Sequence, residues 1–458
     1  MFLQTLTRPT HVTCLSLLAS LIIFCSLLVF QRSHAQGTPA TLEDYQVPSN
    51  LSALNFYLIT VDVGDQVWDN FGHTALRVFD ENTNTDVIFN WGTFDISGGV
   101  VDFSWKFFKG IMDYRLTTST PSQEFSLYSA QQRTVWQDKI NLTNPQKERL
   151  YRRLLWNLES SNTAYAYEYF FNNCTTKVRD YLDESLSGAL LPKFSRTTEF
   201  SFRDHVRSHY QSVGLVEISL NILMNSNIDR KISEWEEMFL PLKFRERLLQ
   251  VESDVAENGE RQMLLSDSQI IAQFMPPTID TNPYEVVFYL LTLPVVFLFL
   301  MIRKIPQTYY ATRSQIGLRF PRLNYRLLAL LGAVTSLFSG TLGLLMLGSW
   351  FLSGHTDTHH NINLLVFWPT DIFGIIIATG WLVSCKAWPT NHNTAPFINY
   401  YLFGHLVAML IYGLIGFFGL SEQKIDDILY SILPGFSFFT ILICIVGFES
   451  SKPRNVLL

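Results

Sequence analysis

Alternation of apolar and polar residues is confined to the first half of the chain. Residues 56–63 (FYLITVDV), 73–80 (HTALRVFD) and 85–91 (TDVIFNW) are short β-branched and aromatic runs, the last two joined by the turn-forming ENTN. They predict a small antiparallel sheet containing a hairpin. Helical spacing follows. Thr143 and Gln146 form a capping-box pair, Pro145 suits a first turn, and Leu150, Leu154, Leu155 and Leu158 share one face. A second helix is predicted from Asn172-Asn173-Cys174 onward, with Val178, Tyr181, Leu182 and Leu186 on one side and a stop by Gly188. Strands first and helices later make this part α+β. Residues 230–250 set Trp235, Phe239, Leu240, Leu242 and Phe244 among many charges, which predicts a core helix, with an amphipathic piece on a bilayer surface as the alternative. The stretch 253–283, with ENGE, PPT and TNP, reads as a linker.

From Tyr284 the pattern changes to long apolar spans near 284–302, 327–352, 364–384, 398–420 and 428–448, which predict an all-α domain of five transmembrane helices. The charge count changes at the same place. Residues 1–283 hold 24 Lys/Arg against 33 Asp/Glu, and residues 284–458 hold 10 against 7. The loop after the first span carries Arg303, Lys304, Arg313, Arg319, Arg322 and Arg326, and the tail carries Lys452 and Arg454, which places both in the cytoplasm. No span contains Lys or Arg. Asp371, beside Trp368-Pro369, is expected to be simply hydrated near a helix end. At the other end Arg8, an apolar stretch from Leu15 to Phe30 and Ser33-His34-Ala35 predict a signal peptide over 1–35, cleaved before Gln36, with an uncleaved anchor as the alternative. Cys25 is not a lipid-attachment cysteine, because Phe24 precedes it where a small residue would be needed. The expected organisation is therefore 1–35 signal, 36–252 exported domain, 253–283 linker and 284–458 membrane domain, in an inner (cytoplasmic) membrane with the N-terminal domain in the periplasm. The first part shows no basic stripe, so nucleic acid is not expected as a partner.

Of five cysteines, Cys14 and Cys25 fall in the signal segment and Cys385 and Cys444 at or in spans, leaving Cys174 alone in the exported part. A lone thiol in an oxidising compartment cannot pair within its domain. Asn172 and Asn173 are helix-capping types and put Cys174 in a first turn, where unpaired N–H groups favour thiolate and can hold an oxyanion, with Asn173 and Thr175 at that terminus. A small buried hydrophobe is the plain alternative. His73, opening a strand after Phe71-Gly72, is the best-placed base, and Asn90 on the partner strand is a candidate to hold its tautomer; Asp95, Asp69 and Asn70 are open alternatives. His205 and His209 have helical spacing, but Val206 stands where a metalloprotease needs Glu, so they read as a surface pair. The loop His355, Thr356, Asp357, Thr358, His359, His360 carries metal-ligand types without regular spacing; it reads as a membrane-proximal site, and no metal or cofactor is called for.

A strand His, a polar residue on the next strand and Asn-Cys opening a later helix resemble the permuted papain-like fold, of which lecithin:retinol acyltransferase is an example. More closely, DNFGHTALRV, VIFNWGTFDI and YEYFFNNCTTKVRDYL resemble the exported domain of the Lnb-type bacterial lipoprotein N-acyltransferases, and the five-span tail with THHNINLL resembles that family's membrane domain. The resemblance implies acyl transfer from a membrane lipid donor to the α-amine of a diacylated lipoprotein. It matches Cys174 to the nucleophile, His73 to the base and Asn90 to its orienting partner. A wall amidase or endopeptidase, a lipid hydrolase on the same Cys-His core, and a non-enzymatic membrane receptor are the alternatives.

Overall fold

The computed structural model describes residues 42–93, 99–110, 113–211, 214–253, 262–276, 283–303, 322–385 and 395–451. The chain divides into residues 1–44 and 45–458. In the first unit the described part is one 3-10 turn, Leu42–Asp44; the expected signal peptide lies outside the described residues.

The N-terminal part of the second unit is built on a seven-stranded, wholly antiparallel sheet in the order β6-β4-β3-β2-β1-β5-β9. The strands are β1 (Leu54–Val61), β2 (His73–Asp80), β3 (Thr85–Thr93), β4 (Asp113–Ser119), β5 (Val135–Ile140), β6 (Ala164–Ala166) and β9 (Leu265–Ala272). A separate pair joins β7 (Thr197–Ser201) to β8 (Lys231–Ser233). Period-two alternation sends the two sets of strand side chains to opposite faces. Phe56, Leu58, Leu76, Val78 and Phe89 pack on one side with residues of α3 (Asn144–Leu158), α4 (Cys174–Ser185) and α7 (Pro241–Leu248). Ile59, Val61, Ala75 and Ile88 pack on the other with Tyr128 of α2 (Pro121–Ala130). The Thr143–Gln146 capping box starts α3 as expected. Phe239, Leu240, Phe244 and Leu248 are buried, so the 230–250 stretch belongs to the core.

One expectation is corrected here. Residues 265–272 are strand β9, paired with β5, and not part of a linker. Its sequence, LSDSQIIA, masks the strand: the irregular pairing leaves Ser268, Gln269 and Ile270 exposed at the sheet edge, so the apolar alternation is broken.

The C-terminal part is helical: α8 (Pro283–Arg303), α9 (Arg322–Leu352), α10 (Gly374–Ser384), α11 (Ala395–Phe417) and α12 (Leu433–Ser451), the last continuing from a π-turn at Ile428–Ile432. Among the described residues three helices are long and apolar enough to cross a membrane, over Arg326–Leu352, Phe397–Phe417 and Ile428–Val446. The third expected span is not one helix. It is a pair of segments, Thr356–Leu365 and Pro369–Ser384, bent by 64°. Pro369 supplies no N–H and biases Trp368 away from helix, which breaks the ladder there. The segment then runs tight against α9, where a Cβ on Gly340 would fall 2.4 Å from the Ile372 nitrogen.

The two parts are joined by α6 (Gly214–Leu223), which follows α5 (Phe202–Tyr210). Ile218 and Ile222 of α6 are buried with Leu342 and Met346 of α9, Phe367, and Tyr412 of α11. Around that contact Asn361 and Asn363 each donate to the Ile222 carbonyl at 2.8 Å, Arg207 pairs with Asp427, and Lys424 meets Asp204 at 3.0 Å. Satisfied polar groups at a buried junction fix the relative placement of sheet and helices.

Candidate active site

The site begins with register. In the β2–β3 hairpin Ala75 stands opposite Asn90, so His73, two residues earlier on the same face, is the diagonal neighbour of Asn90. His73 Nε2 lies 2.9 Å from Asn90 Oδ1. The Asn90 amide nitrogen faces Glu124 Oε1 at 3.3 Å and the Tyr128 hydroxyl at 3.5 Å, both on α2, which turns the amide oxygen toward the imidazole. Nε2 therefore carries the proton and donates it, leaving Nδ1 for another partner. The ring has room because residue 92 is glycine: a Cβ there would sit 2.8 Å from His73 Cε1.

Cys174 is the first residue of α4. Asn173 is its N-cap, accepting from Thr176 N at 2.9 Å, while the Asn173 N–H donates to Thr176 Oγ1 at 2.8 Å. The Asn173 amide nitrogen donates to the carbonyls of Tyr169 and Phe239, both at 3.0 Å. All of these groups hold the turn in place. The backbone N–H groups of Cys174 and Thr175, in the first turn, have no acceptor within the helix. Thr175 itself is buried, its hydroxyl 3.1 Å from that of Thr74 and 3.8 Å from the Cys174 sulfur.

Burial of the thiol works against ionisation. The charge of His73, a hydrogen bond from it, the Thr74 backbone N–H and the Thr175 hydroxyl outweigh that and bring the Cys174 pKa down to about 7. Burial likewise pushes the His73 imidazole down, but the Cys174 charge and hydrogen bond raise it above its ordinary value. Each group thus favours the charged form of the other.

Of the alternatives for orienting His73, Asp69 is taken by Arg133 at 2.9 Å, with Asp62 O accepting from Arg133 Nε at 2.9 Å. Asn70 is buried, and Asp95 lies outside the described residues. Sequence reasoning missed Glu124, Tyr128 and Gly92. A lone glycine inside a strand was a readable signal of close approach; nothing in the sequence links α2 to Asn90.

Cys174 and His73 open on a cavity of about 450 Å³. Its walls include the aromatic rings of Tyr114, Tyr167 and Phe107, the last on α1 (Gly99–Lys109), with Tyr114 and Tyr167 stacked at 4.1 Å. Its far wall is Leu345 and Ser349 on α9 and Ser353 just beyond it, so the cavity runs from the sheet to a helix able to span a bilayer.

The His355–His360 loop is divided by this cavity. His355 lines it, with Nε2 2.9 Å from the Phe107 carbonyl. Asp357 accepts from the Tyr169 hydroxyl at 2.5 Å, which ties the loop to the segment before Cys174. His359 Nε2 is 3.1 Å from the Ser353 carbonyl and His360 packs on Trp350, and neither lines the cavity. No group of three metal-ligating side chains occurs among the described residues. His205 and His209 are not a surface pair: His205 is buried, 3.4 Å from Glu237, and His209 bonds the His205 carbonyl at 2.8 Å, because that face of α5 packs on Phe239.

Residues 41–210 match the family model described as the Lnb N-terminal periplasmic domain. None of the curated proteins and none of the solved structures matches the chain.

Proposed function

We propose that this chain, whose residues 41–210 match the Lnb N-terminal periplasmic domain, is a membrane-bound lipoprotein N-acyltransferase with a permuted papain-like Cys-His site. The observation that carries this reading is the cavity, which is lined by Cys174 and by α9 alike. Such a path suits a nucleophile whose substrates both reside in a bilayer. The five spans, the cytoplasmic-membrane location with an outward-facing catalytic part, and the cleaved signal belong to the same proposal.

In the first step the Cys174 thiolate attacks an acyl ester carbonyl of a membrane lipid, and the N–H groups of Cys174 and Thr175 receive the oxyanion. The C–O bond breaks, the His73 imidazolium gives its proton to the departing alcohol, and an acyl thioester remains. In the second step the free α-amine of the lipoprotein's diacylglyceryl-cysteine attacks the thioester. The C–S bond breaks, the amine proton passes to His73, and the imidazolium–thiolate pair is restored. An α-amine with a pKa of about 8 is already partly neutral at pH 7, so modest base help suffices. Asn90 keeps Nδ1 pointed at the sulfur throughout.

The test is the mass of the N-terminal lipopeptide of a reporter lipoprotein made with the intact protein and with Cys174→Ala. One added acyl chain on the amine with the intact protein alone supports the reading. An unmodified amine in both removes the lipoprotein as acceptor and brings forward a wall or lipid hydrolase.

A further inference from the structure

A second cavity, of about 300 Å³, lies among the C-terminal helices, away from Cys174. Its walls are mostly apolar, from Leu328 on α9 to Ile377 on α10 and Phe439 on α12, and Phe373 and Phe397 at its rim are exposed. One side is polar. There Asp371 accepts four hydrogen bonds: from the Tyr401 hydroxyl at 2.6 Å, from His405 Nε2 at 2.8 Å, from the Trp368 backbone N–H at 3.3 Å and from Ser339. It is therefore not simply hydrated, as its position near a helix end suggested. Four donors fill a carboxylate's acceptor sites. His405 is 5% exposed, lines the cavity and is stacked on Trp368 at 4.0 Å. Its other nitrogen, Nδ1, is buried without a hydrogen-bond partner among the described residues.

We propose that this cavity is a binding site for an acyl lipid carrying one free hydroxyl, its chain along the apolar wall and its hydroxyl donating to His405 Nδ1. The chemistry follows from what is left unfilled. With His405 Nε2 donating to Asp371, Nδ1 is the ring position left to accept, and the saturated carboxylate asks for nothing more. A single donor is required. A hydroxyl supplies one, whereas an ammonium would bring three and leave two buried without partners. Exposed Phe397 begins a helix apolar enough to cross a membrane, and exposed Phe373 lies in the bent apolar pair beside it, so the occupant comes from the bilayer. Lysophospholipids and diacylglycerols share the required chemistry.

The experiment uses the full-length protein in lipid nanodiscs, with binding followed by native mass spectrometry. The probes are a 1-acyl-2-hydroxy phosphatidylcholine, its 2-methoxy analogue of the same chain length, and a diacylglycerol. The 2-hydroxy lipid is expected to bind about tenfold more tightly than the methoxy analogue, the worth of one buried hydrogen bond. His405→Phe is expected to abolish that preference, and Ile377→Trp to weaken both lipids by filling the cavity. Diacylglycerol binding at least as tightly as the lysolipid assigns the site to neutral glycerolipids; the reverse order assigns it to lysophospholipids. Equal binding of the hydroxy and methoxy lipids, or a preference that survives His405→Phe, overturns the proposal and leaves the Asp371 cluster as a structural tie between helices. Because Cys174 takes no part, failure here is independent of the acyl-transfer reading.

Discussion

Two histidines in this molecule, His73 half-buried and His405 buried, are held alike and end differently. His73 sets Nε2 against an amide oxygen at 2.9 Å and His405 sets Nε2 against a carboxylate at 2.8 Å, and each lines a cavity. At His73 the other nitrogen meets a thiol whose pKa falls to about 7. At His405 it meets no side chain among the described residues. The orienting bond is thus common to both, and the partner of Nδ1 separates a site suited to covalent chemistry from one suited to holding a ligand.

The contrast predicts its own largest effect. Cys174→Ala should reduce N-acylation of a reporter lipoprotein to background, a loss of at least about a thousandfold, whereas Asp371→Asn should leave acylation per folded molecule within about twofold. The lipopeptide mass assay measures both. Comparable losses from the two variants would mean that the helical cluster takes part in the reaction.

His73→Gln comes next. Without the imidazolium the Cys174 thiol should return to or above its ordinary value of 9.0. At pH 7 the thiolate fraction would drop from about one half to about one hundredth, slowing iodoacetamide alkylation by about 50-fold. The pH profile carries the sign. In the intact protein alkylation should fall as pH drops through about 7, because the depressed thiol is then protonated; in His73→Gln that fall moves to higher pH. An unmoved midpoint would show that His73 does not set the thiol.

Gly92→Ala should displace the imidazole, since its Cβ would stand 2.8 Å from His73 Cε1. About tenfold slower alkylation at pH 7 with an unchanged circular dichroism spectrum is expected. The smallest effect belongs to Asn90→Ala, which frees the tautomer without removing the base. About 1 kcal/mol, or about fivefold in rate, is the worth of the one hydrogen bond lost. A loss as large as that of His73→Gln would instead make Asn90 part of the proton path.

Much of the half that holds the candidate site was readable from the chain. The alternation in HTALRVFD and TDVIFNW around a turn of ENTN is local, so the hairpin and the nearness of His73 to Asn90 follow from it. The capping residues before Cys174 are local as well. By contrast, Glu124 and Tyr128 reach Asn90 through the packing of α2 on the sheet, which no short-range pattern encodes. Strand β9 escaped because edge pairing with β5 is satisfied by backbone, not by an apolar side-chain pattern. His205 looked like a surface residue because its i, i+4 spacing with His209 says which residues share a face and not what that face packs against.

The sequence by itself determined an antiparallel sheet followed by apolar helices, a single cysteine at a helix start and a histidine opening a strand. Those features depend on residues within a turn or two of one another. Only the tertiary structure decided that Cys174 and His73, a hundred residues apart, share one cavity, that this cavity continues to α9, and that Asp371 is saturated while His405 is not. Each of these depends on which groups fill the remaining hydrogen-bonding positions of a buried side chain, and those groups come from distant segments whose meeting is fixed by packing.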